Sequence, residues 1–199
     1  GEDLYRLSDS KVSLKCIGKE LDEELRPMLT VDGPDDGKHV AYLARRQRSI
    51  HTKASCKMRF LPKNQEKAGL AVVQAMNHQL HVELRAEGGK QKLAVVLVTA
   101  DYNCPPYFPG FEAHTKRKFI AEADWETDEV ILQIDMDGQD WRVYYGSTKD
   151  ALVELVAVDG GTLNPEKVGC MCGTMIGMFA TGGGTDSENR AEFDWFELY

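Results

Sequence analysis

Thr174-Met-Ile-Gly-Met-Phe-Ala-Thr-Gly-Gly-Gly184, followed by Arg190-Ala-Glu-Phe-Asp-Trp-Phe-Glu-Leu-Tyr199, is the stretch on which the fold turns. Its first part is a short apolar run with Gly177 inside it and Gly182, Gly183 and Gly184 behind it. An apolar run of that length, closed by glycines, reads as a buried strand. The second part sets Ala191, Phe193 and Trp195 on one face and Asp194 and Phe196 on the other, because successive strand side chains point to opposite sides. A strand carrying Phe193, Trp195, Phe196 and Tyr199 has to be covered, or a large apolar patch is left in water. The expectation is that Phe193 and Trp195 face the interior and that this strand pairs with the one around Met175 to Phe179.

The same alternation recurs upstream. Ala54, Cys56, Met58 and Phe60 alternate with Ser55, Lys57 and Arg59, and Leu80, Val82 and Leu84 alternate with His81, Glu83 and Arg85. Period two is the mark of a half-buried strand. Val130, Leu132, Ile134 and Met136 form another such set, Asp137-Gly138 reads as a hairpin turn, and Trp141, Val143 and Tyr145 return. Residues 4 to 17 hold two short strands around Ser8-Asp-Ser10, and Asp159-Gly-Gly161 favours a strand over a helix for Ala151 to Val158. Leu21 to Pro27 is the one segment that suits a helical turn. Many short strands with turn signals between them predict an all-β sandwich of two antiparallel sheets.

At 199 residues the chain fits a single domain, residues 1–199, and is large enough to bury a core without disulfides or metals. The net charge of −8 argues against a nucleic-acid partner, which needs a basic surface. No apolar run approaches the ~18–20 residues that span a bilayer, and the first residues do not read as a secretory leader. The expected compartment is aqueous, whether periplasmic, secreted or cytoplasmic. The five cysteines, at 16, 56, 104, 170 and 172, lack paired metal or disulfide spacing and read as unpaired thiols.

Three stretches in order carry a family resemblance. Leu43-Ala-Arg-Arg-Gln47 with Ala54-Ser-Cys-Lys-Met-Arg-Phe60, then Gly138-Gln-Asp-Trp-Arg-Val-Tyr-Tyr145, then Gly177-Met-Phe-Ala-Thr-Gly-Gly-Gly184 with Ala191-Glu-Phe-Asp-Trp-Phe-Glu197, resemble the concanavalin A-like sandwich at the C-terminal end of family 43 glycoside hydrolases. Those enzymes are β-xylosidases and α-arabinofuranosidases. The resemblance, from about Leu4 to Tyr199, implies a concanavalin A-like jelly roll. It also implies a non-catalytic accessory role, packed on a catalytic propeller, with xylo- or arabino-oligosaccharide as the glycan. Neither the first strand of the family's sandwich nor the propeller has a counterpart in this sequence. In that family a segment of the sandwich reaches the active-site pocket and helps to close it with an aromatic. The matching stretch is Gly169-Cys-Met-Cys172, where Met171 offers an apolar wall instead.

Several constellations bear on chemistry. Glu192, Asp194 and Glu197 spell E-x-D-x-x-E, which resembles the catalytic strand of retaining family 16 glucanases. A strand sets residues i and i+2 on one face, and a bulge brings i+5 back to it; a retaining pair needs carboxyl groups about 5–5.5 Å apart. The competing reading of the same residues is a solvated terminal strand. The loop Asp101-Tyr-Asn-Cys-Pro-Pro-Tyr-Phe-Pro-Gly-Phe111 offers Tyr107, Phe108 and Phe111 as a platform for sugar rings or for a neighbouring domain. Arg45 and Gln47 share a strand face as a polar patch, for a domain interface, a glycan hydroxyl or an ion pair. No cofactor is expected; a structural calcium around Asp194 is the one metal the related sandwiches suggest. Two alternatives stand beside the accessory reading: a catalytic sandwich using Glu192, Asp194 and Glu197, and a free-standing lectin-like module.

Overall fold

The computed structural model describes residues 4–8, 10–22, 40–104, 108–110, 112–164 and 173–199. Among these the alternating segments become thirteen strands. They are β1 (Tyr5–Ser8), β2 (Lys11–Lys15), β3 (Ala41–Arg46), β4 (His51–Arg59), β5 (Lys67–Ala75), β6 (His78–Glu87) and β7 (Lys90–Tyr102). Then follow β8 (Ala113–Asp124), β9 (Glu129–Asp137), β10 (Asp140–Gly146), β11 (Val153–Asp159), β12 (Met175–Thr181) and β13 (Arg190–Leu198). Two short 3₁₀ turns, Lys149–Ala151 and Gly160–Leu163, flank β11. Of the expected helical turn, Leu21 and Asp22 form a turn and residues 23–27 lie outside the described residues.

The strands make two antiparallel sheets, as the alternation predicts. The larger has the order β1-β2-β13-β4-β9-β10-β11 and the smaller β3-β12-β5-β6-β7-β8. One core lies between them. Ala54, Cys56 and Met58 of β4, Leu80, Val82 and Leu84 of β6, and Leu132 and Ile134 of β9 are buried in one cluster with Ile176, Met178, Ala191 and Phe193. Each large apolar side chain buried there contributes roughly 1.5–3 kcal/mol. The β9–β10 hairpin turns on Gly138-Gln139 between the paired Asp137 and Asp140, with Gly138 at φ +60°. A positive φ at the first central position of a two-residue hairpin loop suits glycine. Burial pushes the Cys16 thiol up to about 12 and raises that of Cys56 further, so both are inert core thiols.

Two expectations about the C-terminal stretch need correction. β12 and β13 are not neighbours in one sheet: β12 lies between β3 and β5, and β13 between β2 and β4. They meet across the core instead, through Ile176 and Met178 on one side and Ala191 and Phe193 on the other. Secondly, Trp195 does not face the interior. Phe193 pairs with Met58 and Trp195 with Lys57, so Asp194 is an extra residue in the β13 ladder. This bulge restarts the alternation one residue late, and Phe196 and Leu198 pack against the core in the place Trp195 was expected to fill.

Gly177 is required by packing. A Cβ there would lie 2.2 Å from the Leu43 carbonyl oxygen and 2.4 Å from Ala44 Cα, on the neighbouring β3. The outer face of the smaller sheet is also covered. Leu21 packs on Ala71 and Phe179, Lys67 Nζ donates to Glu20 at 2.6 Å, and Arg117 is paired with Asp22. Beneath them Gln79, His81 and Glu83 are buried polar side chains on β6.

Candidate functional site

Antiparallel pairing fixes which loops share an end of the sandwich. Met175 at the start of β12 pairs with Arg46 at the end of β3 and with Val73 near the end of β5. The β5–β6 turn at Met76-Asn77 and the β7–β8 connection beyond Tyr102 therefore sit at this same end. So two of the sequence-derived candidates, Arg45/Gln47 and the aromatic loop, lie at the same end of the smaller sheet but at its opposite edges, β3 being one edge strand and β8 the other.

At this end Arg45 is exposed and Gln47 half-buried. The Gln47 backbone N–H donates to the Thr174 carbonyl at 2.8 Å, and its side-chain amide donates to the Ser49 carbonyl at 2.8 Å. Gln47 is thus fixed by its own turn, and Arg45 is exposed beside it, as are Arg46 and Arg48. Asn103 closes the base of the aromatic loop: its amide donates to the Gly110 carbonyl at 2.9 Å, and its side-chain oxygen accepts from Glu112 N–H at 2.8 Å. Phe108, inside that closed loop, is 62% exposed, too much for a ring tucked into the sandwich edge. Tyr107, Phe111 and Met171 lie outside the described residues.

The sequence reading missed a polar group beside them. The Tyr102 ring stacks on His78 with centroids 5.9 Å apart, and its hydroxyl lies 3.3 Å from both Asn77 Oδ1 and His78 Nδ1. Buried Gln74 accepts a hydrogen bond from Thr174 Oγ1, and the Tyr42 hydroxyl donates to the Met175 carbonyl at 3.0 Å. These contacts join β7 to the β5–β6 turn, and β5 and β3 to the start of β12. The signal available was Asn77-His78 at a strand turn, close in space to Tyr102 but not in sequence.

The carboxylates lie elsewhere, on the outer face of the larger sheet. The β13 bulge does bring Glu197 to the face that carries Glu192 and Asp194, but each acid meets an ammonium group. Lys11 Nζ lies 3.6 Å from Glu192 and 3.2 Å from Asp194, Lys57 is 3.1 Å from Asp194, and Lys149 is 2.8 Å from Glu197. The Lys149 ammonium also sits 4.2 Å from the centre of the Trp195 ring. Partial burial pushes the Asp194 carboxyl up, but hydrogen bonds from Lys57 and Lys11 outweigh it and hold it below its ordinary value. The Lys149 hydrogen bond lowers Glu197 in the same way. A retaining glycosidase needs one carboxyl kept protonated as the acid. This arrangement does the reverse and makes an ion-paired strand face. Lys11 and Lys57 lie 3.2 and 3.1 Å from the Asp194 oxygens, and among the described residues no group of three His, Cys, Asp or Glu side chains is placed to hold a metal.

A sequence model of the β-xylosidase C-terminal concanavalin A-like domain matches residues 23–199. The chain belongs to that domain family. A xylosidase/arabinosidase of Butyrivibrio fibrisolvens is 25% identical over 198 residues, 99% of this chain and 34% of that protein. A non-reducing end α-L-arabinofuranosidase of Bacteroides ovatus is 31% identical over 164 residues, 79% of this chain and 27% of that protein. A family 43 protein of Bacillus licheniformis superposes with a TM-score of 0.72 at 22% identity, over 94% of this chain and 32% of that one. The chain thus spans about a third of the length of these relatives. The stretches that carry the resemblance fall on β3 and β4, on the β9–β10 hairpin, and on β12 with β13.

Proposed function

We propose that this chain is the non-catalytic accessory sandwich of a family 43-type glycosidase acting on β-xylosides or α-L-arabinofuranosides. It packs on the catalytic propeller through the end that carries Arg45, Asn77, His78, Tyr102 and Phe108. One observation carries the reading: Phe108 is exposed at the same end of the sandwich as Arg45, in a chain that matches only about a third of its multidomain relatives. A domain interface within one chain buries roughly 600–1,500 Å² and is fairly polar, which suits this mixture of rings, amides and guanidinium groups. Xylo- or arabino-oligosaccharide recognition is then a property of the assembled pair, with Phe108 close enough to the join to touch either partner.

The test mixes this chain with a family 43 propeller expressed apart from its own sandwich. The expected result is a stable complex in size-exclusion chromatography that Phe108→Ala combined with Tyr102→Ala weakens. The isolated chain is expected not to hydrolyse aryl β-xylosides, aryl arabinofuranosides or β-glucans. Hydrolysis that Glu192→Gln abolishes, with the fold intact, would replace this reading with a catalytic one.

A further inference from the structure

At the opposite end of the sandwich a cleft of about 720 Å³ opens between three connections: β4–β5, the β6–β7 hairpin and β8–β9. Clefts that take small ligands typically run to roughly 300–1,000 Å³. Its apolar lining is Trp125 with Leu61 and Pro62. The Trp125 indole N–H donates to the Glu129 carbonyl at 3.1 Å, and its ring meets Tyr145 edge-on with centroids 5.7 Å apart. The indole's one polar group is therefore already satisfied, and the ring is held by its neighbours. Leu61 is 55% exposed, although it borders the core residue Phe60.

The remaining lining selects a ligand class. Gly88 and Gly89 turn the hairpin at φ +58° and +77° and present bare backbone along one wall. Asn64, Asp124 and Glu126 supply hydrogen-bonding oxygens. Formal charge on the walls is three carboxylates, Glu87, Asp124 and Glu126, against one ammonium, Lys90. That balance repels phosphates and other anions. The carboxylates do not converge as metal ligands either, since no such group exists among the described residues. A ring face bordered by bare backbone and acceptor oxygens suits a hydroxyl-rich ligand with an apolar ring face.

We infer that this cleft is a saccharide-binding site, with Trp125 as the ring platform and Asp124 and Glu126 as acceptors for sugar hydroxyls. Aromatic rings give large contact area at low entropy cost, and acceptor oxygens orient the hydroxyls around them. The site lies at the end remote from Tyr102 and Phe108, so it stays open when that end is docked and does not depend on docking. A glycan chain held there would be tethered beside the assembly, away from the interface.

The test titrates the intact chain with xylotetraose, arabinotetraose and cellotetraose, each up to about 10 mM, read in amide and indole N–H NMR spectra. At least one saccharide is expected to shift the Trp125 indole, while the Trp141 and Trp195 indoles stay in place. Trp125→Ala is expected to weaken binding about tenfold or more. Because Trp125 also supports Tyr145 and its loss endangers folding, Glu126→Arg on the exposed wall is the second variant. It keeps the fold and weakens binding by a similar factor. The proposal is overturned if no saccharide produces shifts, if shifts fall only at the Tyr102 end, or if Glu126→Arg binds as tightly as the parent. Shifts produced by calcium alone would make the cleft a cation site instead.

Discussion

Trp195 of β13 stands opposite Lys57 of β4, although its near neighbour Phe193 stands opposite Met58. The extra residue, Asp194, rotates everything after it by one position. Trp195 leaves the core for the outer face, where Lys149 covers its ring, and Phe196 enters. Truncation should read this rotation directly. Phe193→Ala is expected to cost about 3–5 kcal/mol, as for a large ring lost from a core. Trp195→Ala should cost about 1 kcal/mol, its cation–π contact and partial cover. Urea unfolding of both variants checks the pair; a Trp195 loss equal to that of Phe193 would put the bulge elsewhere.

Gly177→Ala tests how closely β3 and β12 approach. The added methyl would meet the Leu43 carbonyl and Ala44 Cα well inside contact distance, and both are backbone atoms that cannot rotate away. The edge strand must shift, at about 1–3 kcal/mol or more. A variant as stable as the parent, by thermal unfolding, would mean that β3 is not seated on β12 as described.

His81 and Glu83 predict a pH dependence of unusual form. Burial is the main cause for both: it lowers His81 from 6.5 to about 4, with Asp22 opposing, and raises Glu83 from 4.5 to about 7, with Lys67 opposing. The lowered His81 contributes stability that is present above pH 6.5 and lost as pH falls towards 4. The raised Glu83 contributes stability that is present below pH 4.5 and lost as pH rises towards 7. Between about pH 4.5 and 6.5 the two slopes oppose and largely cancel. His81→Asn should therefore leave a protein that weakens as pH rises through this window, and Glu83→Gln one that weakens as pH falls. Each change amounts to roughly 3 kcal/mol across the full shift. Chemical denaturation across the pH range checks the signs; parallel slopes in the two variants would remove the opposition.

Asp194 and Glu197 titrate low because lysines hold their charged forms. The stability they add is present above the ordinary carboxylate range and lost as pH falls through their depressed values. Since these pairs are partly exposed, at 28% for the Asp194 side chain, Asp194→Asn should cost about 1 kcal/mol at neutral pH. It should leave binding of a propeller unchanged. A large loss of complex formation in this variant would move the docking surface to the larger sheet.

What the sequence made legible follows from period two. Leu80, Val82 and Leu84, or Val130, Leu132 and Ile134, announce strands and the face that each buries, and the resulting sandwich is the one expected. Alternation does not announce a bulge, because the extra residue Asp194 is itself polar and fits the pattern on either side. Nor does it announce which strands become neighbours: β12 and β13 are both buried, and only long-range pairing separates them into two sheets. His81 and Glu83 read as a solvent face because nothing local says that Leu21, Glu20 and Asp22, some sixty residues earlier, lie across them. For the site, Arg45 and Phe108 were visible as residue types, whereas the Tyr102–His78 stack depended on the β5–β6 turn reaching the end of β7.

The central claim is that this sandwich docks by the end that carries Tyr102 and Phe108. Amide hydrogen exchange of the chain, alone and with a family 43 propeller expressed apart from its own sandwich, tests it most directly. New protection is expected at residues 46–49, 76–78 and 102–112, with the Trp125 cleft and the Lys57–Asp194 face unchanged. Protection confined to that face or to the cleft, with residues 102–112 exchanging as in the free chain, would contradict it.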